Sequence, residues 1–367
     1  MQGAIFGGNV FQRSSRRRFL KGAVAVGAVE SIGREALLQQ GFAQPANPRV
    51  IDCHHHFLSP AYIKALASHD GKKMTGYSTW FSLDRLKNYT PQQDLESMDH
   101  DGVATSLLSC TTPGIWFGDP DESAMLAREM NEFGARLVND HKGRFGLFAL
   151  LPLPSVDESL KEIAYAFDTL KADGVGLVSS YGNHWLGDPI FKPIFAELNR
   201  RRAVVYVHPI DAPCCQELMA NVPPTVLEYN HDTARTIYSL LVTGAATRYN
   251  DIQFIFSHGG GTMPGLVERF QIGGPENIND NLAGTPEPNS RLFHLRRFYY
   301  DTAGSVNIVQ MTSLKMVAGA SRIVFGTDYP FATAGQHLTG LQTCGFNQAE
   351  LQGIYRGNAT KFLPKYA

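Results

Sequence analysis

The run Val50-Ile51-Asp52-Cys53-His54-His55-His56-Phe57 sets an aspartate and three consecutive histidines in a short apolar stretch. Imidazole and carboxylate are the donors of zinc- or manganese-type sites, and also the acids and bases of proton transfer. Side chains alternate along an extended chain, which puts Asp52, His54 and His56 on one side and Cys53, His55 and Phe57 on the other. His54 and His56 can then grip one ion. His55 is expected to be packed or hydrogen-bonded elsewhere, and Cys53 to be a small core residue. Three later stretches end in the same way: "AVVYVHP" in His208, "FIFSHGGG" in His258 and "RIVFGTDYPF" in Asp328. Each alone has a bland explanation, a hydrogen-bonded structural histidine or an aspartate at a cap or turn. Only a fold that brings four strand ends together turns them into one site.

The sequence supplies such a fold. Eight β-rich runs recur between helical patterns: Val50–Cys53, Ala104–Ser109, Phe145–Leu151, Val175–Val178, Ala203–Val207, Ile252–Phe256, Phe298–Asp301 and Ile323–Gly326. Alternating strands and helices indicate a parallel sheet, and eight such units predict an α/β fold of the (β/α)8 TIM-barrel type with loop insertions. A doubly wound open sheet also alternates, but no Gly-x-Gly-x-x-Gly follows the first strand. Helix starts are legible at Asp119-Pro120, at Ser155 with Glu158 as a capping box, and at Asp188-Pro189. Residues 59–90 and 272–296 are too long and polar for tight turns and read as loop insertions that could cap the barrel.

Reactive residues of a barrel belong at the C-terminal ends of its strands. There His54, His56, His208 and Asp328 form a nitrogen and carboxylate ligand set with an open position, suited to catalytic zinc, with manganese as the second choice. Asp52 reads as a partner orienting a ligand histidine, or as a ligand itself. His258, in a glycine-rich turn, takes the acid/base or oxyanion-stabilising role, with a fifth ligand as its alternative. Arg269, eleven residues on, suits a substrate carboxylate or a solvated helix face.

The 367 residues, 43% hydrophobic and 18% charged, are ordinary globular composition. With 33 basic against 34 acidic residues there is no electrostatic case for nucleic acid as a partner. Five cysteines, Cys53, Cys110, Cys214, Cys215 and Cys344, show no disulfide framework or zinc-knuckle spacing. Ser15-Arg-Arg-Arg-Phe-Leu-Lys21, the small-residue run Gly22–Val29 and a cleavage point before Gln44 match a twin-arginine export signal, with a disordered basic tail as the alternative. Residues 1–43 are therefore expected to be a leader and 49–367 the barrel domain. The protein would be periplasmic or secreted, otherwise cytoplasmic, and no apolar stretch is long enough to span a membrane.

Taken in order, "IDCHHHF", "VYVHP", "SHGGGTMP" and "GTDYPF" resemble the amidohydrolase-related decarboxylases typified by aminocarboxymuconate semialdehyde decarboxylase, over almost all of Arg49–Leu363. The segment from Ser180 to Pro209 looks most like the 6-methylsalicylate decarboxylase branch. The resemblance implies His54, His56, His208 and Asp328 as metal ligands, His258 as the catalytic histidine, and Trp185 and Phe331 as pocket aromatics. It matches Arg269 to an arginine that reaches a neighbouring subunit's substrate, implying a homodimer or higher oligomer. Where the semialdehyde decarboxylase carries a second carboxylate-binding arginine this chain has Ser82, with Arg85 out of register. A monocarboxylated ring therefore fits better than a muconate dicarboxylate.

Two reactions follow. The first is metal-dependent, non-oxidative decarboxylation of a hydroxybenzoate- or salicylate-like acid, with Asp328 or His258 carrying the proton and no organic cofactor. The second is hydrolysis of a lactone, ester or amide by a metal-activated water with His258 assisting. An aromatic cage of Trp80, Trp185 and Phe331 with one arginine would favour the flat acid. A binding protein on a dead barrel would have lost its ligands, and all are present.

Overall fold

The computed structural model describes residues 49–69, 86–215, 218–219, 222–272 and 282–367. The leader, Trp80, Ser82 and Arg85 lie outside them. All eight expected strands form: β1 (Val50–His56), β2 (Val103–Ser109), β3 (Phe145–Leu150), β4 (Gly174–Val178), β5 (Val204–His208), β6 (Gln253–Phe256), β7 (Tyr299–Asp301) and β8 (Ile323–Val324). They lie side by side in chain order and pair in parallel throughout. The ends of the sheet meet: Cys53 N donates to Phe325 O, Asp328 N to His54 O and His56 N to Tyr329 O, each at 2.9 Å. The sheet is thus a nearly closed barrel.

The connecting helices are α1 (Pro91–Asp101), α2 (Pro120–Asp140), α3 (Val156–Asp168), α4 (Lys192–Arg200), α5 (Pro224–Val242), α6 (Arg291–Arg297), α7 (Ile308–Ala318) and α8 (Ala334–Gln342). Two of the three starts read from the sequence form as expected. The Asp119 carboxylate accepts from Asp121 N and Glu122 N, and Asp188 accepts from Ile190 N. The capping box at Ser155 does not form: its side chain makes no cap bond, and Glu158 pairs with Lys161 at 2.7 Å instead. The two insertions are also less loop-like than expected. Residues Pro60–His69 are helical, and residues 291–296 belong to α6, so only parts of 59–90 and 272–296 are connections.

Both faces of a parallel barrel are buried, so its strands are apolar on both sides. Ile51, Cys53, Leu107, Phe148, Tyr206 and Ile255 form the inner cluster, while Val205, Val207, Phe254 and Phe256 pack in the larger cluster with Leu198 and Ile237 of α4 and α5. Strand β5 alternates strictly between the two clusters, so His208 continues the inward phase of Val204 and Tyr206.

Strand β1 does not alternate simply. Asp52 pairs with Ser106 but His55 with Leu108, so three residues of β1 advance against two of β2, a bulge. The phase slips there. Ile51 and Cys53 belong to the inner cluster, yet the His54 and His56 rings face the barrel mouth, and Asp52 bonds to the His55 ring. The expected pairing of Asp52 with His54 and His56 on one side is corrected by this bulge, while the division between His54/His56 and His55 stands.

Candidate active site

Four strand ends meet as the fold requires. His54 and His56 come from β1, His208 ends β5, His258 follows β6 and Asp328 follows β8. One donor atom each from His54, His208, His258 and Asp328 can be chosen so that all lie within 4.8 Å of one another. His56 adjoins them, its Nε2 3.1 Å from His54 Nε2 and 3.0 Å from Asp328 Oδ1, with ring centroids 4.8 Å from His54 and 4.7 Å from His208. The His258 ring stands 5.1 Å from His54 and 5.8 Å from His208.

The far nitrogen of each ring has an oxygen beside it. His54 Nδ1 is 2.7 Å from Asp301 Oδ2, His208 Nδ1 is 2.8 Å from Pro209 O and His258 Nδ1 is 3.0 Å from Ala303 O. His56 Nδ1 lies 3.3 Å from the Ser109 hydroxyl. Where the partner only accepts, Nδ1 must carry the proton, which leaves Nε2 to face the centre. This is the orientation a divalent cation needs, and three or more imidazoles with one carboxylate are a donor set that fits one.

Protonation states follow from burial and the carboxylates. Burial pushes His56 down to about 4, His208 well below the usual histidine range and His258 down as well, so these rings are neutral. Burial acts on His54 too, but the Asp301 and Asp328 carboxylates outweigh it and push His54 up to about 10. Burial would raise the Asp328 carboxyl, and His54 beside it instead holds it well below the usual carboxylate range. A cation placed here takes over the role of the proton on His54.

Two of these residues sit on backbone that L-amino acids rarely adopt, His258 at φ 53 and Asp328 at φ 66. Each such residue costs about 1–3 kcal/mol and persists where surrounding bonds over-determine it. Here they do: His258 N donates to Asp301 Oδ1 at 2.8 Å, and Phe331 N donates to Asp328 O at 2.8 Å.

Among the described contacts the ring that Asp52 meets is that of His55. Asp52 Oδ1 accepts from the backbone N of His54 and of Thr327, both at 3.0 Å, and its Oδ2 from the Thr327 hydroxyl at 2.7 Å and His55 Nδ1 at 3.2 Å. It ties β1 to the segment after β8. His55 points away from the centre: it stacks on Tyr329 at 4.6 Å and lies 3.6 Å from Asp94. Burial would lower its pKa, but Asp52 and Asp94 push it up to about 9. The carboxylate that orients a site histidine is Asp301, at the end of the seventh strand. In the sequence it is a further polar residue at a barrel strand end, with nothing beyond that position to mark it.

A cleft opens over β2, β3 and β4 and approaches the histidines through Tyr206. Its walls include Cys110, Ile115, Trp116, Leu151, Tyr181 and Ile210, and it reaches down to Gly176 and Tyr206, whose ring is 5.3 Å from that of His54. Trp116 was missed in the sequence, where nothing distinguished it from a surface tryptophan. Phe331 stands 6.1 Å from the His56 ring. Trp185 Nε1 donates to Asp232 at 2.7 Å. Arg269 is exposed on the short helix Val267–Phe270 and makes no described contact with the histidine cluster.

A nearly closed barrel of eight parallel strands, with nitrogen and oxygen donors converging from four strand ends, is the architecture of the amidohydrolase enzymes. The chain belongs to that family: the amidohydrolase family model matches residues 51–365. It is 35% identical over 338 residues to "Decarboxylase macB" of Penicillium terrestre, covering 86% of this chain and 95% of that one. It is 36% identical over 287 residues to "6-methylsalicylic acid decarboxylase" of Penicillium expansum, covering 77% and 85%. Among solved structures, the dihydroxybenzoic acid decarboxylase of Polaromonas sp. JS666, with bound manganese and the inhibitor 2-nitroresorcinol, shares the fold at a TM-score of 0.73 and 20% identity, covering 87% of this chain and 97% of that one. The family resemblance read from the four motifs is borne out.

Proposed function

We propose that this protein is a metal-dependent, non-oxidative decarboxylase, a carbon–carbon lyase acting on a small hydroxybenzoate- or salicylate-like acid. The observation that carries the reading is the histidine–aspartate centre beside an apolar, aromatic-walled cleft, in a chain whose similar curated relatives are named decarboxylases rather than hydrolases. In this reading His54, His56, His208 and Asp328 are the ligands of one divalent ion, zinc first and manganese second. His258, whose ring stands farther from His208 than His56 does, is the acid/base group.

When bound, the cation supplies a fixed positive charge for the substrate carboxylate and an ortho hydroxyl. The cleft walls hold the ring flat beside the histidines and exclude water. His258, neutral and with Nδ1 tied to Ala303 O, offers Nε2 to the ring hydroxyl. Asp328 and His258 are the two groups placed to relay a solvent proton to the carbon bearing the carboxylate. Protonation there interrupts aromaticity, and loss of carbon dioxide restores it. We further propose twin-arginine export, on the motif of residues 15–21, and a homodimer, on the resemblance of Arg269 to an arginine that reaches a neighbouring subunit's substrate.

The test is to incubate metal-loaded protein with a panel of hydroxybenzoates and lactones, following carbon dioxide against acid production. Carbon dioxide from at least one hydroxybenzoate is expected. Turnover of a lactone with carbon dioxide from none of the acids would overturn the reading in favour of hydrolysis.

A further inference from the structure

Cys214 and Cys215 stand side by side on the turn Pro213–Cys215, between β5 and α5. Their sulfurs are 2.9 Å apart, so the two thiols are in direct contact. Their access differs: Cys214 is exposed and Cys215 buried. The other three cysteines are free and have no such neighbour among the described residues.

The turn is short of chain from the active site. His208 ends β5 with Nδ1 bonded to Pro209 O, and Ile210 lines the cleft while its N donates to Ser179 Oγ at 3.0 Å. Cys215 N then donates to Ala212 O at 2.9 Å. A shallow depression walled by Cys215, Pro223, Leu227 and Glu228 among others opens next to the buried thiol.

We propose that Cys214 and Cys215 form a redox modification site that a low-molecular-mass disulfide converts into a disulfide within the turn, displacing the Ile210 wall of the cleft. The exposed Cys214 thiolate attacks one sulfur of the incoming disulfide and expels a first thiolate. Cys215 then attacks the Cys214 sulfur and expels the second. Two protein thiols are oxidised, one small disulfide is reduced to two thiols, and the two protein protons end on those thiols. The order follows from access: Cys214 is exposed and meets the incoming disulfide first, and Cys215 is buried beside it. Contact between the sulfurs gives that step a high effective concentration. Adjacent Cα atoms are only about 3.8 Å apart, below the usual span of a disulfide, so the bond is strained and reversible.

The full chain is incubated with 2-hydroxyethyl disulfide, quenched with an alkylating agent, digested and weighed. The peptide holding both cysteines is expected to escape alkylation and to be lighter by two hydrogens, and a dithiol reductant should reverse this. Cys214→Ser should leave Cys215 unmodified, whereas Cys215→Ser should trap a mixed disulfide on Cys214. If both thiols of the wild type stay alkylatable, or if it stops at the mixed disulfide, the site is overturned. This readout needs no substrate and so stands apart from the decarboxylase reading. A second arm measures salicylate affinity before and after oxidation, where a loss of about threefold or more is expected. Binding that is present and unchanged by the bond overturns the link to the cleft.

Discussion

At the scale of single residues, the site depends on which ring nitrogen of each histidine carries a proton. Asp301 fixes this for His54, and its other oxygen accepts from His258 N and Ala303 N. In Asp301→Asn the amide oxygen stays with those backbone donors, and the amide NH2 faces His54 Nδ1. The ring must then accept there and carry its proton on Nε2, the nitrogen needed by the metal. A fall of about 10- to 100-fold in Zn2+ affinity is expected, measured by competition with a chromophoric chelator. The proton on His54 also makes binding pH-dependent. Because its pKa is pushed up to about 10, the cation competes with a proton across the neutral range, and affinity should rise as pH rises toward that value. Titrations with Co2+ at about pH 6 and about pH 8 check the sign, and equal affinity at both would contradict it. His54, His208, His258 and Asp328 were legible because each ends an apolar run. Asp301 and Asp52 were harder to read, because a carboxylate at a strand end looks the same whether it bonds a ring, a backbone amide or a metal.

At the scale of elements, strand positions were legible from their β-branched and aromatic runs, but local registers were not. The bulge in β1 arises from pairing with β2, which the sequence of β1 alone does not encode, so simple alternation misplaced Asp52. Likewise Ser155 and Glu158 have the right spacing for a capping box, yet Lys161, one turn along α3, takes the Glu158 carboxylate. Trp116 became a cleft residue only through the turn that follows β2. Close approach between elements leads to the next prediction. A Cβ at Gly326, just beyond β8, would stand 2.8 Å from His54 Cβ and 2.9 Å from Asp301 Cβ, neither of which can swing aside. Gly326→Ala should therefore displace the His54–Asp301 pair and weaken Zn2+ binding about tenfold or more, with the fold retained by circular dichroism. Unchanged affinity would mean that this contact does not set the ring position.

At the scale of the whole molecule, residues more than 270 positions apart in sequence, such as His56 and Asp328, meet because the barrel closes β1 against the segment after β8. That meeting was legible from the count and order of the strands, since a (β/α)8 barrel gathers its strand ends at one mouth. The cleft was legible only in part, because its walls come from connections whose paths depend on packing, as with Trp116 in the turn after β2. The most direct test of the metal centre uses the two adjacent histidines that the fold separates. Metal content per chain is measured for the wild type, His54→Ala and His55→Ala after loading with Zn2+ and desalting. The wild type and His55→Ala should retain the ion, with His55→Ala losing stability instead, and His54→Ala should lose it. Equal loss from both variants, with both still folded, would contradict the account.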